Sequence, residues 1–282
     1  MDAEAGMFAP DSVSWRVFGE HTVALGGLRS LYLQALHPLA MAGVAQNSSF
    51  RTEPWRRLVH TWGYLRTVLY GTTADAQEAA GRLRRMHARM RATDPRTGET
   101  FRLDEPDLLR WVHVAEVESF LTTVRRAGLR LTAAEADRFH AEQRRGAALI
   151  GLDPDAVPGT CAEVEAYYDA IRPQLRLTPD AAETAAFLTK LPALPQDWGS
   201  RTLRFAVGTA PARLVYRGLA VTAFGLLPPW ARELYGRSAH PAVDAVAGLS
   251  VRTTRLVVRV ALPPKLRVPP LRREALARHG AA

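Results

Sequence analysis

The chain has one cysteine, two lysines and no long apolar run, and each shortage removes a class of explanation. A lone Cys161 excludes an intrachain disulfide and a zinc site of paired cysteines, and suits a reducing compartment. No uninterrupted stretch of about 18 apolar residues occurs, so no membrane span is expected. Met1-Asp2-Ala3-Glu4 is acidic and no apolar segment follows it. A secretory signal is therefore not expected, and the chain reads as cytoplasmic. Also missing are G-x-x-x-x-G-K-[ST], G-x-G-x-x-G, H-E-x-x-H and G-x-S-x-G, so several familiar nucleotide, zinc and serine chemistries drop out. Glu-x-x-His, needed twice in a di-iron carboxylate bundle, does not occur; only the reversed His113-x-x-Glu116 does, once.

What is present belongs to a globular protein. At 282 residues the chain can bury one large core or two smaller ones. The net charge of +9 is almost wholly arginine, since Lys190 and Lys265 are the only lysines. These arginines are dispersed rather than gathered in runs with aromatics, so nucleic acid is not an expected partner. The basic balance does permit weak attraction to an anionic membrane surface or an acidic partner.

Apolar residues recur at helical spacing nearly everywhere, which predicts an all-α fold. Residues 1–13 read as a flexible leader, 14–265 as a single multi-helix domain and 266–282 as a basic, mobile tail. Ser14 is the expected first N-cap, Gly26-Gly27 an expected break, and Pro38 a new helix start. Thr52 is expected to cap a helix opened by Pro54, and Thr73 or Asp75 the next. Asp94-Pro95-Arg96-Thr97-Gly98 reads as a turn. Residues 108–126 are apolar on most of their circumference and so predict a central helix. Thr132, Thr160 and Thr178 read as further caps. Prolines over 191–197 suggest a crossing segment, and helices are expected over about 200–217, 219–235 and 243–262.

Two segments carry polar residues where a plain core helix would have apolar ones. Arg57, His60, Thr61 and Tyr64 fall at i, i+3, i+4 and i+7, one helical face. That face is either the solvent side opposite Trp55, Leu58, Val59, Trp62 and Leu65, or the wall of a pocket in which Arg57 clamps a carboxylate. His87 lies on an apolar stripe with Ala76, Ala79, Ala80, Leu83, Met86 and Met90, amid Arg84, Arg85, Arg89 and Arg91. It is either a satisfied core histidine or an axial ligand for an amphipathic anion such as haem. His37, before Pro38, either satisfies a carbonyl left unpaired by the proline or faces a pocket. His113 and Glu116 suggest a buried imidazole–carboxylate pair. Cys161 reads as inert, and His140 and His279 as exposed.

The ordered set resembles a known family. Leu33-Gln34-Ala35-Leu36-His37-Pro38-Leu39-Ala40-Met41-Ala42-Gly43-Val44 with Asn47-Ser48 is similar to an early histidine-proline helix. It is followed by Arg57-x-x-His60-Thr61, Arg85-Met86-His87-Ala88-Arg89-Met90-Arg91 and Trp111-Val112-His113. Together they resemble the oxygenase MpaB and latex clearing protein (rubber oxygenase) catalytic-domain family over about residues 14–265, most specifically 31–126. The resemblance implies an all-helical fold around haem b, with His87 as the axial iron ligand and Arg57, His60 and Thr61 on the distal side. His60 stands where latex clearing proteins have lysine, so it could also ligate iron. The carboxylate that rubber-cleaving members use as a base falls near Met41, where this sequence is apolar.

The expectation is therefore a haem-dependent oxygenase acting with O2 on an apolar, isoprenoid-like small molecule, served by an electron-donor protein. His60, Thr61 and Arg57 would be its catalytic residues, His87 and His60 its iron ligands, and His37 and His113 pocket-wall residues. The alternative is a non-catalytic haem- or lipid-binding helical protein, a sensor or carrier.

Overall fold

The computed structural model describes residues 6–190, 192, 194, 209–261, 268 and 270–279. Among these residues the chain is all-α, with thirteen α-helices and one two-stranded hairpin. In order they are α1 (Val13–Phe18), α2 (Val23–Gln34), α3 (Pro38–Asn47), α4 (Pro54–Tyr70) and α5 (Thr73–Arg89). After β1 (Arg91–Thr93) and β2 (Thr100–Arg102) come α6 (Pro106–Arg126), α7 (Ala133–Leu149), α8 (Cys161–Ile171) and α9 (Pro179–Leu188). The last four are α10 (Ala210–Gly225), α11 (Pro229–Leu234), α12 (Pro241–Ala261) and α13 (Pro270–Arg278).

Local chemistry explains where most helices begin. Pro38, Pro54 and Pro106 open α3, α4 and α6, where a missing amide hydrogen is harmless. Thr132, Thr160 and Thr178 accept from backbone N–H groups of Glu135, Glu163 and Ala181. Two expected caps move by a residue or two. Ser12, not Ser14, caps α1; Ser14 is buried inside the helix and bonds the Glu142 carboxylate through both its amide and its hydroxyl. Thr72 caps α5 in a reciprocal box with Asp75. Thr52 does not cap α4, because its hydroxyl donates back to the Ser49 carbonyl.

The long helix α6 is central, as its nearly all-round apolar surface predicts, and packs most extensively on α2. Gly26-Gly27 does not break α2. A Cβ on Gly26 would stand 2.8 Å from the Ser119 carbonyl oxygen, so the glycine permits close approach of two backbones. Beside it, Arg29 is only 1% exposed and donates to Leu226 O (2.8 Å), Ser119 Oγ (2.6 Å) and Glu118 (2.5 and 3.2 Å). One guanidinium thus ties α2, α6 and the end of α10 together.

Described residues at both ends of the chain pack on the helical body. Phe8 is buried and its carbonyl accepts from Trp15 Nε1, so the leader is anchored from that point by burial of its aromatic ring. In the tail, α13 lays Ala275 and Leu271 against the cluster holding Phe8, Trp15 and Tyr70. An apolar face on residues 270–278 thus replaces the expected loose end. The crossing expected over 191–197 and the helix start expected near residue 200 lie outside the described residues, Pro192 and Leu194 excepted. No described helix is long and apolar enough to cross a membrane.

Candidate functional site

Helices α4 and α5 have 17 residues each and are joined by Gly71 and Thr72. Near this connection they are well packed, with Val68, Leu69, Tyr70, Ala76 and Ala80 in one buried cluster. Burial falls along both helices away from it. Leu58, Val59, His60 and Thr61 are exposed on α4, and Arg85, Met86 and Arg89 on α5. The far halves of the hairpin are therefore left open to a ligand.

The polar stripe of α4 is not simply a solvent face. Arg57 donates to the hydroxyl of Ser48, the C-cap of α3. No carboxylate among the described residues forms an ion pair with it, and burial holds its guanidinium below the usual arginine range. About two turns further, the Tyr64 hydroxyl is buried and without a hydrogen-bond partner among the described residues. Burial first, and the Glu116 charge second, push it up to about 12. Between them His60 and Thr61 reach solvent, and the Thr61 hydroxyl donates to the Arg57 carbonyl at 3.0 Å. Leu58 and Val59 are 39% and 46% exposed as well, so this part of α4 meets solvent on both its polar and its apolar side.

His87 is partly buried on α5, and burial lowers its pKa, opposed by the Asp104 carboxylate. Its imidazole therefore favours the neutral form, the form that ligates metals. The stripe of α5 differs from expectation at Met86, which is exposed. Met86 lines a groove of about 410 Å³ with Asn47, Arg82, Arg85, Arg89 and Met90. Ala79, seven residues earlier and on nearly the same side of α5, is buried, so Met86 is exposed because it lies in the far half of the helix, where packing has fallen away.

His37 is buried, and its role is that of an N-cap: Nδ1 accepts from Ala40 N at 3.3 Å. It satisfies an orphan amide of α3 and not the carbonyl expected from Pro38. Its ring lies 6.0 Å from that of Trp111, and burial lowers its pKa to about 4. His113 is buried in α6 and faces α7, where a Cβ on Gly146 would lie 3.8 Å from its Cε1. Burial, with the nearby His140, lowers it to about 4.

The expected His113–Glu116 pair does not form among the described contacts. Three helical steps leave the two side chains about 60° apart, enough to send them to different neighbours. Glu116 instead sits on the Tyr64 side. No hydrogen bond to its carboxyl occurs among the described residues, and burial raises it to about 7. In the sequence this group stood out only as the expected partner of His113. His140 is buried rather than exposed, since it falls on the inward stripe of α7 with Ala136, Phe139, Gln143 and Ala147. His279 is exposed as expected. Cys161 is raised to about 11, mainly by burial, as an unreactive thiol would be.

Among the described residues no three His, Cys, Asp or Glu side chains converge as a metal cage. A porphyrin would bring four nitrogen ligands of its own, so one imidazole suffices for that class of iron site. The residues present fit such a group in two respects. A buried guanidinium lacking a carboxylate suits a propionate, and a partly buried neutral imidazole suits an axial position.

A family model described as "ER-bound oxygenase mpaB/B'/Rubber oxygenase, catalytic domain" matches residues 15–267. No curated protein and no solved structure matches the chain.

Proposed function

The chain belongs to this family of oxygenase catalytic domains, and from that premise we propose that it is a b-type haem-dependent oxygenase using O2 on an apolar, isoprenoid-like small molecule. The observation that carries the reading is Arg57: a partly buried cation on the polar stripe of α4, bonded to Ser48 and lacking a described carboxylate partner. A charge withdrawn from water in this way favours an anion beside it, and a carboxylate-bearing ligand supplies one.

In this reading His87 and His60 would be the residues that hold the haem iron, with His60 also able to hydrogen-bond O2; Arg57 would hold a propionate and Thr61 would supply a hydroxyl. The pocket-wall role of His37 and His113 rests on the family resemblance alone, since the one caps α3 and the other faces α7. Haem, when bound, supplies the redox chemistry that activation of O2 requires. The chain's own residues do the rest. Met86, in the groove beside α5, offers apolar contact to the substrate. The Glu116 carboxyl, titrating near neutrality, is suited to hold or release a proton beside the Tyr64 hydroxyl. Electrons would come from a separate donor protein.

Purified protein from haem-supplemented expression is expected to show a Soret band that His87→Ala removes. A colourless protein would sink the haem reading. Oxygen uptake on a panel of isoprenoids then separates an oxygenase from a haem carrier, which would keep the band and consume nothing.

A further inference from the structure

Helices α10 and α12 pack on each other through small residues. Thr222 and Ser250 hydroxyls lie 2.6 Å apart, and a Cβ on Gly225 would meet that of Ala247 at 2.9 Å. Their outer surface is unusual for a solvated helix pair. On α12, Val246, Leu249, Leu256 and Val260 are 63–75% exposed and recur at steps of three, seven and four. They fall within an arc of roughly 80° at 100° per residue. On α10, Leu214 and Val221, seven residues apart, continue the surface at 72% and 59% exposure. Patches of this continuity mark an interaction site more often than chance.

The charges around the patch indicate what covers it. Arg213 and Arg217 are exposed on α10, and Arg252 on the flank of the α12 stripe. Residues 210–225 contain no acid at all, and the one acid of α12, Asp244, is held by Arg232 at 2.9 Å and faced by Arg126. Among the described residues of α10 and α12 the surface is thus apolar at its centre and cationic at its margin, without a free carboxylate. A second copy docked face to face would bring like charges together. An anionic bilayer surface offers the complement: acyl chains for the valines and leucines, headgroups for the guanidiniums.

We propose that the α10–α12 face docks the protein peripherally on anionic lipid membranes. The proposal does not depend on haem or on turnover. It would place an oxygenase of apolar molecules where such molecules partition.

The test is co-sedimentation of the full chain with phosphatidylcholine vesicles, with and without phosphatidylglycerol. Binding is expected to be at least about tenfold stronger to the anionic vesicles and to weaken with salt. Leu249→Glu with Leu256→Glu should abolish it while leaving circular dichroism and melting unchanged, since both side chains are exposed. Arg213→Gln with Arg217→Gln should remove most of the salt-sensitive part. The proposal is overturned if the wild type ignores anionic vesicles or if the double glutamate variant binds as well as the wild type. It is equally overturned if light scattering finds a wild-type dimer that this variant converts to monomer.

Discussion

Glu116 gives the sharpest test of how the site is built. Its carboxyl is partly buried, accepts no described hydrogen bond, and is raised by desolvation to about 7 against an ordinary 4.5. Between those two pH values the folded chain keeps a proton that the unfolded chain has released, so stability falls as pH rises through this window. At about 1.4 kcal/mol per pH unit the ceiling is about 3 kcal/mol above pH 7. Glu116 keeps some contact with solvent, so about 2 kcal/mol is the better figure. Glu116→Gln removes the titration at nearly constant shape. The variant should match the wild type at pH 4.5 and exceed it by about 2 kcal/mol at pH 8, some 4–8 °C in melting temperature. Urea and thermal unfolding followed by circular dichroism at both pH values measure this directly. A gain that is the same at both values, or a glutamine variant less stable at pH 8, would refute the reasoning.

Other perturbations follow from the same geometry. Arg29→Met strands the Glu118 carboxylate among α2, α6 and Tyr168 and should cost about 3–5 kcal/mol in urea unfolding, with part recovered by adding Glu118→Leu. Gly26→Ala drives a methyl group to 2.8 Å from the Ser119 carbonyl and should cost about 1–3 kcal/mol, whereas the same change at Gly63, where a Cβ meets nothing, should be neutral or stabilising. His37 and His113 both titrate near 4 when folded and at the ordinary 6.5 when unfolded, so the unfolded chain takes up protons first. Stability is then full above pH 6.5 and is lost as pH falls toward 4. His37→Asn, which preserves a cap, and His113→Gln should each flatten that slope in pH-dependent melts.

Much of the fold was legible in the chain itself, for a local reason. A proline at the first turn of α3, α4 or α6, or a threonine three residues before the amide it caps, acts through atoms only a few bonds away. The central place of α6 was legible because a helix apolar on most sides has nowhere else to go. The site was legible in part. The stripe of Arg57, His60, Thr61 and Tyr64 and the histidines at 37, 87 and 113 stood out by residue type. Which of them are capped, buried or open did not.

The sequence by itself determined the helical class, most helix starts and the family, because spacing and motif order are one-dimensional properties. Tertiary structure alone decided that Gly26 is a contact point and not a break, that His140 is buried, and that Met86 turns out. It also decided that Glu116 parts from His113 to stand near Tyr64. Each of those outcomes depends on a neighbour tens of residues away, and a helix rotated by one position presents a different side chain to it.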